Sequence, residues 1–316
     1  MPGRIVLLVT SPRLPAGVLT AAAWDVVRAH PVFASAESDQ VRALRTAGAP
    51  VTVVDPDPEI LVRELGTHDT VVWLAGPAGD QQFARQLGLR LAREPRLAEL
   101  ELMYGSWDPP GARLLDAVAV MDRLASPGGD PWKRQQTHQS LAKYLLEESY
   151  EAYDAIVADD SDALREELGD VLLQVVLHAR LAEDRDEDSR WSVDDVAAGL
   201  VDKMVRRNPH VFAGENVESI EEITENWERI KRAEKARGSV LDGVALSQPA
   251  LSFAAKVLHR AERAGLAVPL PAGDDLGPAL LRRVAEAQAA GEDAEDALRR
   301  AVLAYADEVR AAEELS

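Results

Sequence analysis

The chain has 316 residues, of which 47% are hydrophobic and 28% are charged, so it holds enough apolar material for packed cores and is not a disordered chain. Asp and Glu outnumber Lys and Arg by 54 to 35, and the net charge of −19 disfavours binding to nucleic acid or to an anionic membrane surface. Cysteine is absent, which excludes disulfide scaffolds, thiol nucleophiles and cysteine-ligated metals. The sequence shows no bilayer-length apolar stretch and no leader peptide, so we expect a cytoplasmic protein.

The first 105 residues predict a small α/β domain. Short β-branched runs predict strands at Arg4–Thr10, Val51–Val54 and Thr70–Leu74. Ala-rich stretches between them, such as Val18–Arg28, predict helices. Strands that alternate with helices indicate a parallel sheet.

The remainder of the chain predicts helices. Residues 106–130, rich in Pro and Gly around one short helix, predict a linker. A helical domain over 131–240 follows, and a tail over 241–316 predicts two or three further helices. Within the helical domain, four amphipathic stretches joined mostly by short loops predict helices at Gln139–Val157, Asp162–Asp184, Val193–Arg206 and Ile220–Ala236. We therefore expect a multidomain protein that combines α/β and all-α parts.

Four acidic residues stand at helical spacing on the first two of these helices. Glu148 and Glu151 share a face of the first helix, and Glu167 and Asp170 share a face of the second. If the two helices form an antiparallel hairpin that turns near residue 159, Glu151 lies level with Glu167 and Glu148 lies level with Asp170. The spacing therefore predicts one compact cluster of four carboxylates.

Such a cluster favours a divalent cation. Close carboxylates repel one another and lose hydration unless a cation neutralises them. All-oxygen ligands suit Mg²⁺, with Mn²⁺ as a substitute, better than zinc. The alternative is a solvated acidic face with ion pairs along each helix. A di-iron carboxylate bundle is a third interpretation, but neither acidic pair has the Glu-x-x-His spacing that it requires.

A metal with open coordination positions suits phosphate chemistry, which also needs cationic side chains. Lys203 and Arg207 share a face of the third predicted helix, with Arg206 beside them. The alternative is a basic helix end that complements the helix dipole. Because the surrounding sequence is acidic, we favour phosphate binding.

Four ordered blocks over residues 131–235 closely resemble the MazG family of nucleoside triphosphate pyrophosphohydrolases. The blocks are PWKRQQTHQSL (131–141), YLLEESYEA (144–152), EELGDVLLQVV (166–176) and KMVRRNPHVF (203–212). The resemblance implies an all-α NTP pyrophosphatase four-helix bundle that assembles at least as a homodimer. It also implies Mg²⁺-dependent hydrolysis of NTPs and dNTPs to the nucleoside monophosphate and pyrophosphate, which would clear aberrant or excess nucleotides.

The resemblance also implies roles for individual residues. The family's acidic motif falls on Glu147, Glu148, Glu151, Glu167 and Asp170. The last four are the metal ligands that the spacing selects, and Glu147 is expected to be a general base or an outer ligand. Lys203 and Arg207 are expected to neutralise phosphates, with Lys143 as a further contact unless it is merely solvated. The residues expected to shape a base pocket, or in the case of the tryptophans to pack between helices, are Trp132, His138, Trp227 and Lys231.

Both flanking segments carry weaker resemblances. Pro249–Lys256 is similar to the opening of a second MazG copy, but no paired acidic motif follows, so we expect a degenerate copy without activity. The first segment faintly resembles a shortened tetrapyrrole-methylase-like domain, on the strand Ile5–Val9, Leu19-Thr20 and Ala75-Gly76-Pro77. Two alternatives stay open for the whole chain: a narrow dUTPase- or dCTPase-like enzyme, and a noncatalytic nucleotide sensor.

Overall fold

The structure is a computed structural model that describes residues 2–314 except 215, 216, 218, 235–237 and 274, and does not describe the side chain of residue 232. The chain forms two compact units, residues 1–199 and residues 200–316. The first unit contains the sheet and a set of helices, and the second contains helices.

The sheet of the first unit has five parallel strands in the order β3-β2-β4-β1-β5. The strands are β1 (Gly3–Val9), β2 (Val32–Ala34), β3 (Val51–Val53), β4 (Thr70–Leu74) and β5 (Ala98–Tyr104). The predicted parallel sheet is therefore confirmed, with β1 displaced by one residue from its predicted bounds. The sequence analysis missed β2, which has three residues, and β5, which lies at the sheet edge.

Helices cover both faces of this sheet. The chain moves from β1 through β2 to β3 toward one edge and then through β4 to β5 toward the other, so right-handed crossovers place the first two helices on one face and the next two on the other. The helices are α1 (Ala21–Ala29), α2 (Asp39–Thr46), α3 (Pro58–Glu64) and α4 (Gln81–Arg93). One core packs α1 and α2 against the sheet, and a second core packs α3 and α4.

The helix α5 (Arg113–Ala125) lies in the segment predicted as a linker. Its Asp116 accepts hydrogen bonds from the Arg13 guanidinium, with Nη2 to Oδ2 at 2.6 Å. The side chain of Met121 is buried with residues of a later helix, among them Val176 and Leu177. α5 therefore contacts both the segment after β1 and the helical part of the first unit.

Two long helices form the hairpin predicted from the acidic spacing. They are α6 (His138–Val157) and α7 (Ser161–Glu183), and each differs by one residue at most per end from its predicted bounds. Asp159 adopts a positive φ of 55° in the turn, and the Asp160 carboxylate accepts from the backbone N–H groups of Asp162 and Ala163 at 3.1 and 3.0 Å. This cap starts α7 at the point where α6 has ended. Leu141 and Leu177 are each 1% exposed, and such burial contributes about 1.5–3 kcal/mol per side chain.

The helix α8 (Val193–Arg207) begins in the first unit and ends in the second. The second unit continues with α9 (Pro209–Phe212), α10 (Ile220–Ala233), α11 (Ala250–Arg263), α12 (Leu276–Ala289) and α13 (Ala294–Glu314). The end predicted for α10, at 236, lies outside the described residues. The last three helices pack on one another, as a helical tail requires. Every helix among the described residues is too short or too polar to cross a membrane.

Candidate metal centre

Three carboxylates meet across the seam between α6 and α7. Glu148 and Glu151 of α6 and Glu167 of α7 each offer an oxygen, and these oxygens lie within 4.8 Å of one another. The turn at 158–160 sets this register, because it places Glu151 and Glu167 level on antiparallel helices. Asp170, one turn further along α7, is close enough for its charge to act on both Glu148 and Glu167. The structure thus brings three of the four acids that the spacing selected within 4.8 Å of one another, with Asp170 near them.

Burial and mutual repulsion raise the proton affinity of this cluster. The pKa of Glu148 is raised first by burial and then by the charges of Asp170 and Glu151. The pKa of Glu167 is raised by burial and then by the charges of Glu151 and Asp170. Both side chains are half-buried, whereas Glu151 is exposed. A cation held among these oxygens would remove the repulsion that raises both pKa values.

The donor set fits a small hard cation. Opposite ligands of a six-coordinate Mg²⁺ lie about 4.2 Å apart, since each Mg–O distance is about 2.1 Å. Oxygens within 4.8 Å of one another therefore need only small side-chain rotations to reach one ion. Carboxylate oxygens suit Mg²⁺ or Mn²⁺.

Three other residues of the predicted site lie near the start or middle of α6. Glu147 is exposed beside Glu148, and its charge adds a smaller increase to the Glu148 pKa. Lys143 is exposed, with Nζ 4.6 Å from the centroid of the Tyr144 ring. Trp132 is 48% exposed and meets the edge of the same tyrosine ring at 5.8 Å.

His138 belongs to a histidine pair that the sequence analysis missed. Its Nδ1 lies 2.8 Å from Nδ1 of His178, the two rings are nearly parallel, and the Trp191 ring lies 6.1 Å from that of His138. Burial, followed by the charge of His138, lowers the pKa of His178. Nε2 of His178 is buried without a hydrogen-bond partner among the described residues. The hairpin register is the signal for this pair, because antiparallel helices that pair residues 151 and 167 also bring residues 138 and 178 close.

The predicted phosphate-binding arginines share one carboxylate in the second unit. Glu234 accepts from Arg206 Nε at 2.8 Å and from Arg207 Nη2 at 2.6 Å. Hydrogen bonds from Arg207 and then Arg206 lower the pKa of Glu234 to about 2. The Arg207 guanidinium also lies 5.2 Å from the ring centroid of Trp227. Glu234 was missed because nothing in the local spacing links α10 to α8.

The remaining predicted contacts also lie in the second unit. Lys203 is half-buried on α8. Lys231 on α10 donates to Glu228 at 3.2 Å, one turn earlier on the same helix. Lys203, Lys231 and the two arginines belong to the second unit, whereas the carboxylates belong to the first.

Comparison with known proteins adds a family match over this region. Residues 136–212 match the MazG nucleotide pyrophosphohydrolase domain, and this span includes all the acids of the cluster. A Streptomyces cacaoi protein, an uncharacterized 26.1 kDa protein in the blaB 3' region, is 51% identical over 71% of this chain and 93% of its own length.

Two mycobacterial relatives carry a functional name. The nucleoside triphosphate pyrophosphohydrolase of Mycolicibacterium smegmatis is 49% identical over 69% of this chain and 65% of its own length. The enzyme of the same name from Mycobacterium tuberculosis is 50% identical over 64% of this chain and 59% of its own length. The match therefore spans less than two thirds of each of these two relatives.

Proposed function

Since this chain belongs to the MazG nucleotide pyrophosphohydrolase family, we propose that it is a nucleoside triphosphate pyrophosphohydrolase. It hydrolyses NTPs and dNTPs to the nucleoside monophosphate and pyrophosphate in a reaction that requires Mg²⁺. The observation that carries this proposal is the convergence of Glu148, Glu151 and Glu167 within 4.8 Å inside the matched region. In the cell such an activity would clear aberrant or excess nucleotides.

Each acidic residue of the cluster has a role in this proposal. Glu148, Glu151, Glu167 and Asp170 hold one or two Mg²⁺ ions. When bound, Mg²⁺ lowers the pKa of a coordinated water and offsets charge on phosphate oxygens. Glu147, exposed beside the ligands, accepts the proton of the water that attacks the α-phosphorus. The bond from this phosphorus to the bridging oxygen breaks, and pyrophosphate leaves.

The cationic residues act on the leaving group. Lys203 and Arg207 neutralise the β- and γ-phosphates, where charge accumulates as pyrophosphate departs. Arg207 is already held by Glu234, so a phosphate has to compete with this carboxylate for the guanidinium. The contact between the Arg207 guanidinium and the Trp227 ring further restricts the orientation of Arg207.

Substitution of Glu151 by Gln tests the catalytic proposal. This side chain is exposed, so the fold should persist while one metal ligand is lost. Loss of an outer-sphere partner already costs about 10–100-fold in metal affinity or activity, so we expect at least about a 100-fold loss in pyrophosphate release with Mg²⁺. Asp154→Asn, one turn along the same exposed face, is the matched control. Unchanged activity in Glu151→Gln would refute the proposed metal centre.

Two further assays define the reaction. Hydrolysis in ¹⁸O-labelled water should place the label in the monophosphate, whereas label in pyrophosphate would exclude attack at the α-phosphorus. A panel of NTPs and dNTPs separates a broad enzyme from a dUTPase- or dCTPase-like one. Saturable nucleotide binding without turnover would identify a sensor instead.

We also propose that the chain acts as a homodimer or larger homo-oligomer, in which α6 and α7 complete a four-helix bundle. Apolar side chains of the hairpin are exposed beside the acidic cluster, including Tyr150 at 45% and Leu168 at 53%. Exposed apolar patches of this kind mark interaction surfaces. Light scattering on the purified chain tests this, and a monomeric mass at micromolar concentration contradicts it.

A further inference from the structure

The second unit contains a cationic pocket between α10 and α11. Its volume is about 400 Å³. The side chains that line it and carry charge or titrate are Glu228, Lys231, Lys256, His259, Arg260 and Arg263. Four lysines and arginines therefore face a single carboxylate, in a chain whose net charge is −19. A local positive excess in an acidic protein favours an anionic ligand.

The cations of α11 form one stripe along the helix. Lys256, Arg260 and Arg263 recur at intervals of four and three residues, which places them on one helix face. Seven residues at 1.5 Å per residue separate the ends of this stripe by about 10 Å. An elongated anion can therefore follow the whole stripe.

The middle cation of the stripe is held in place before any ligand arrives. Arg260 Nη1 donates to the carbonyl oxygens of Val240 at 3.0 Å and Asp242 at 2.8 Å. A guanidinium fixed in this way loses less conformational entropy when it binds an anion. Lys256 is exposed on the same face.

The pKa of the pocket's carboxylate shows how strongly the surrounding cations act on it. Glu228 is half-buried, and burial by itself raises the pKa of this carboxyl. The hydrogen bond from Lys231 and the charges of Lys231, Arg263 and Lys256 outweigh burial and lower its pKa below the usual value. Lys231 Nζ lies 3.2 Å and Arg263 Nη1 3.8 Å from its oxygens. The same cations are placed to contact an anion that enters the pocket.

We propose that this pocket binds an oligophosphate, an anion of two or more linked phosphates such as free polyphosphate or the phosphate tail of a nucleotide. Linked phosphates can extend along the stripe and contact more of its cations than a single phosphate does. All lining residues belong to the second unit, so none is a carboxylate of the metal centre. Of the four cations only Lys231 is also a predicted contact of the proposed function, so a site on α11 goes beyond that function.

Titration calorimetry on the full chain in EDTA tests this site, with tripolyphosphate, pyrophosphate, ATP and inorganic phosphate as separate ligands. We expect tripolyphosphate to bind at least about tenfold more tightly than inorganic phosphate. The double variant Lys256→Ala/Arg263→Ala should weaken tripolyphosphate binding by about tenfold or more. Glu228→Gln, which removes the competing charge, should tighten it. Comparable binding of ATP identifies a nucleotide tail as the ligand, and weaker binding of ATP identifies a free oligophosphate.

Two control variants make the test specific. Arg283→Ala removes an 80% exposed arginine of α12 that pairs with Glu286, and it should leave binding unchanged. Glu148→Gln alters the metal centre and should also leave binding in EDTA unchanged. The proposal is overturned by equal affinity for phosphate and tripolyphosphate, by no detectable binding, or by full affinity in the double variant. An equal loss of binding in Arg283→Ala would indicate nonspecific charge attraction and would overturn it as well.

Discussion

At Glu148, burial and neighbouring negative charges change the pKa in the same direction. Burial, Asp170 and Glu151 all raise its pKa, so the apo cluster is destabilised by the repulsion that a cation relieves. Substitution of Glu148 by the uncharged isostere Gln therefore acts differently on the metal-free and the metal-bound protein. Glu148→Gln removes repulsion from the metal-free protein and also removes one of the proposed Mg²⁺ ligands.

We therefore expect Glu148→Gln to be more resistant to thermal unfolding than the wild type in EDTA. At a Mg²⁺ concentration of 100 times Kd, the wild type should gain about 2.7 kcal/mol, and the variant should lose most of this gain. Differential scanning calorimetry with and without Mg²⁺ measures both changes. The same Mg²⁺-dependent rise in both proteins would contradict the assignment of Glu148 as a ligand.

The pair of His138 and His178 predicts a pH dependence of stability. Because burial lowers the pKa of His178 in the folded state, the unfolded chain binds the extra proton first as pH falls. Stability is thus fully present above the unfolded pKa of about 6.5 and declines below it, by less than about 1.4 kcal/mol per pH unit. Solvent screening makes the actual slope smaller than this limit, because the His178 side chain is only half-buried.

Urea unfolding at pH 7.5 and pH 5.5 measures this dependence. His178→Gln should show a smaller loss of unfolding free energy at the lower pH than the wild type. His68→Gln, at an exposed position of the first unit, should behave as the wild type does. Equal losses in His178→Gln and the wild type would show that the buried imidazole does not titrate on unfolding.

At the scale of elements, the hairpin of α6 and α7 is what the sequence predicted best. Helical periodicity, a polar turn and acidic residues at matching spacing all indicated the same register, and the helix ends agree within one residue. β5 was missed because Glu99 and Glu101 interrupt its apolar residues. An edge strand tolerates such charges because only one side of it is paired.

The buried seam of this hairpin gives a prediction about stability. Leu177 is 1% exposed in the core that joins α5 to the hairpin, so Leu177→Ala should lower the free energy of unfolding by about 2–5 kcal/mol. Ile156→Ala, at a side chain that is 59% exposed on α6, should change it by no more than about 0.5 kcal/mol. Chemical denaturation of both variants checks this. Similar effects of the two substitutions would argue against the described packing.

Contacts between distant elements were beyond prediction from spacing. Arg206 and Arg207 were identified as cations, but their partner Glu234 lies 27 residues from Arg207 on another helix. Helical periodicity states which residues share a face of one helix and leaves open which face of another helix meets it. The same reason hid the stripe of Lys256, Arg260 and Arg263 opposite Glu228.

On the scale of the whole molecule, the presence of α5 determines which fragments of the chain should fold stably. Its Met121 packs with Leu177, although its segment reads as a linker in sequence. The two cores of the sheet contain no residue of α5 or of the hairpin helices among the residues described. A fragment of residues 106–316 should therefore fold with its hairpin intact. A fragment of residues 131–316 lacks α5 and exposes the apolar face of α7 that α5 covers.

We expect the shorter of these two fragments to unfold at a lower temperature, because Met121 and its neighbours no longer cover Val176 and Leu177. Circular dichroism melts of both fragments test this. Asp116 loses its Arg13 partner in the longer fragment and is absent from the shorter one, so this loss can only reduce the expected difference. Identical melting of the two fragments would mean that α5 contributes nothing to the hairpin.

The acids of the cluster lie close together along the chain, which affects how the cluster forms. Every acid of the cluster falls within residues 148–170, so closing one local loop gathers the complete set, and loop closure over such a short segment is fast. No long-range pairing has to precede it. We therefore expect the cluster to form early in folding, before the contacts between distant elements.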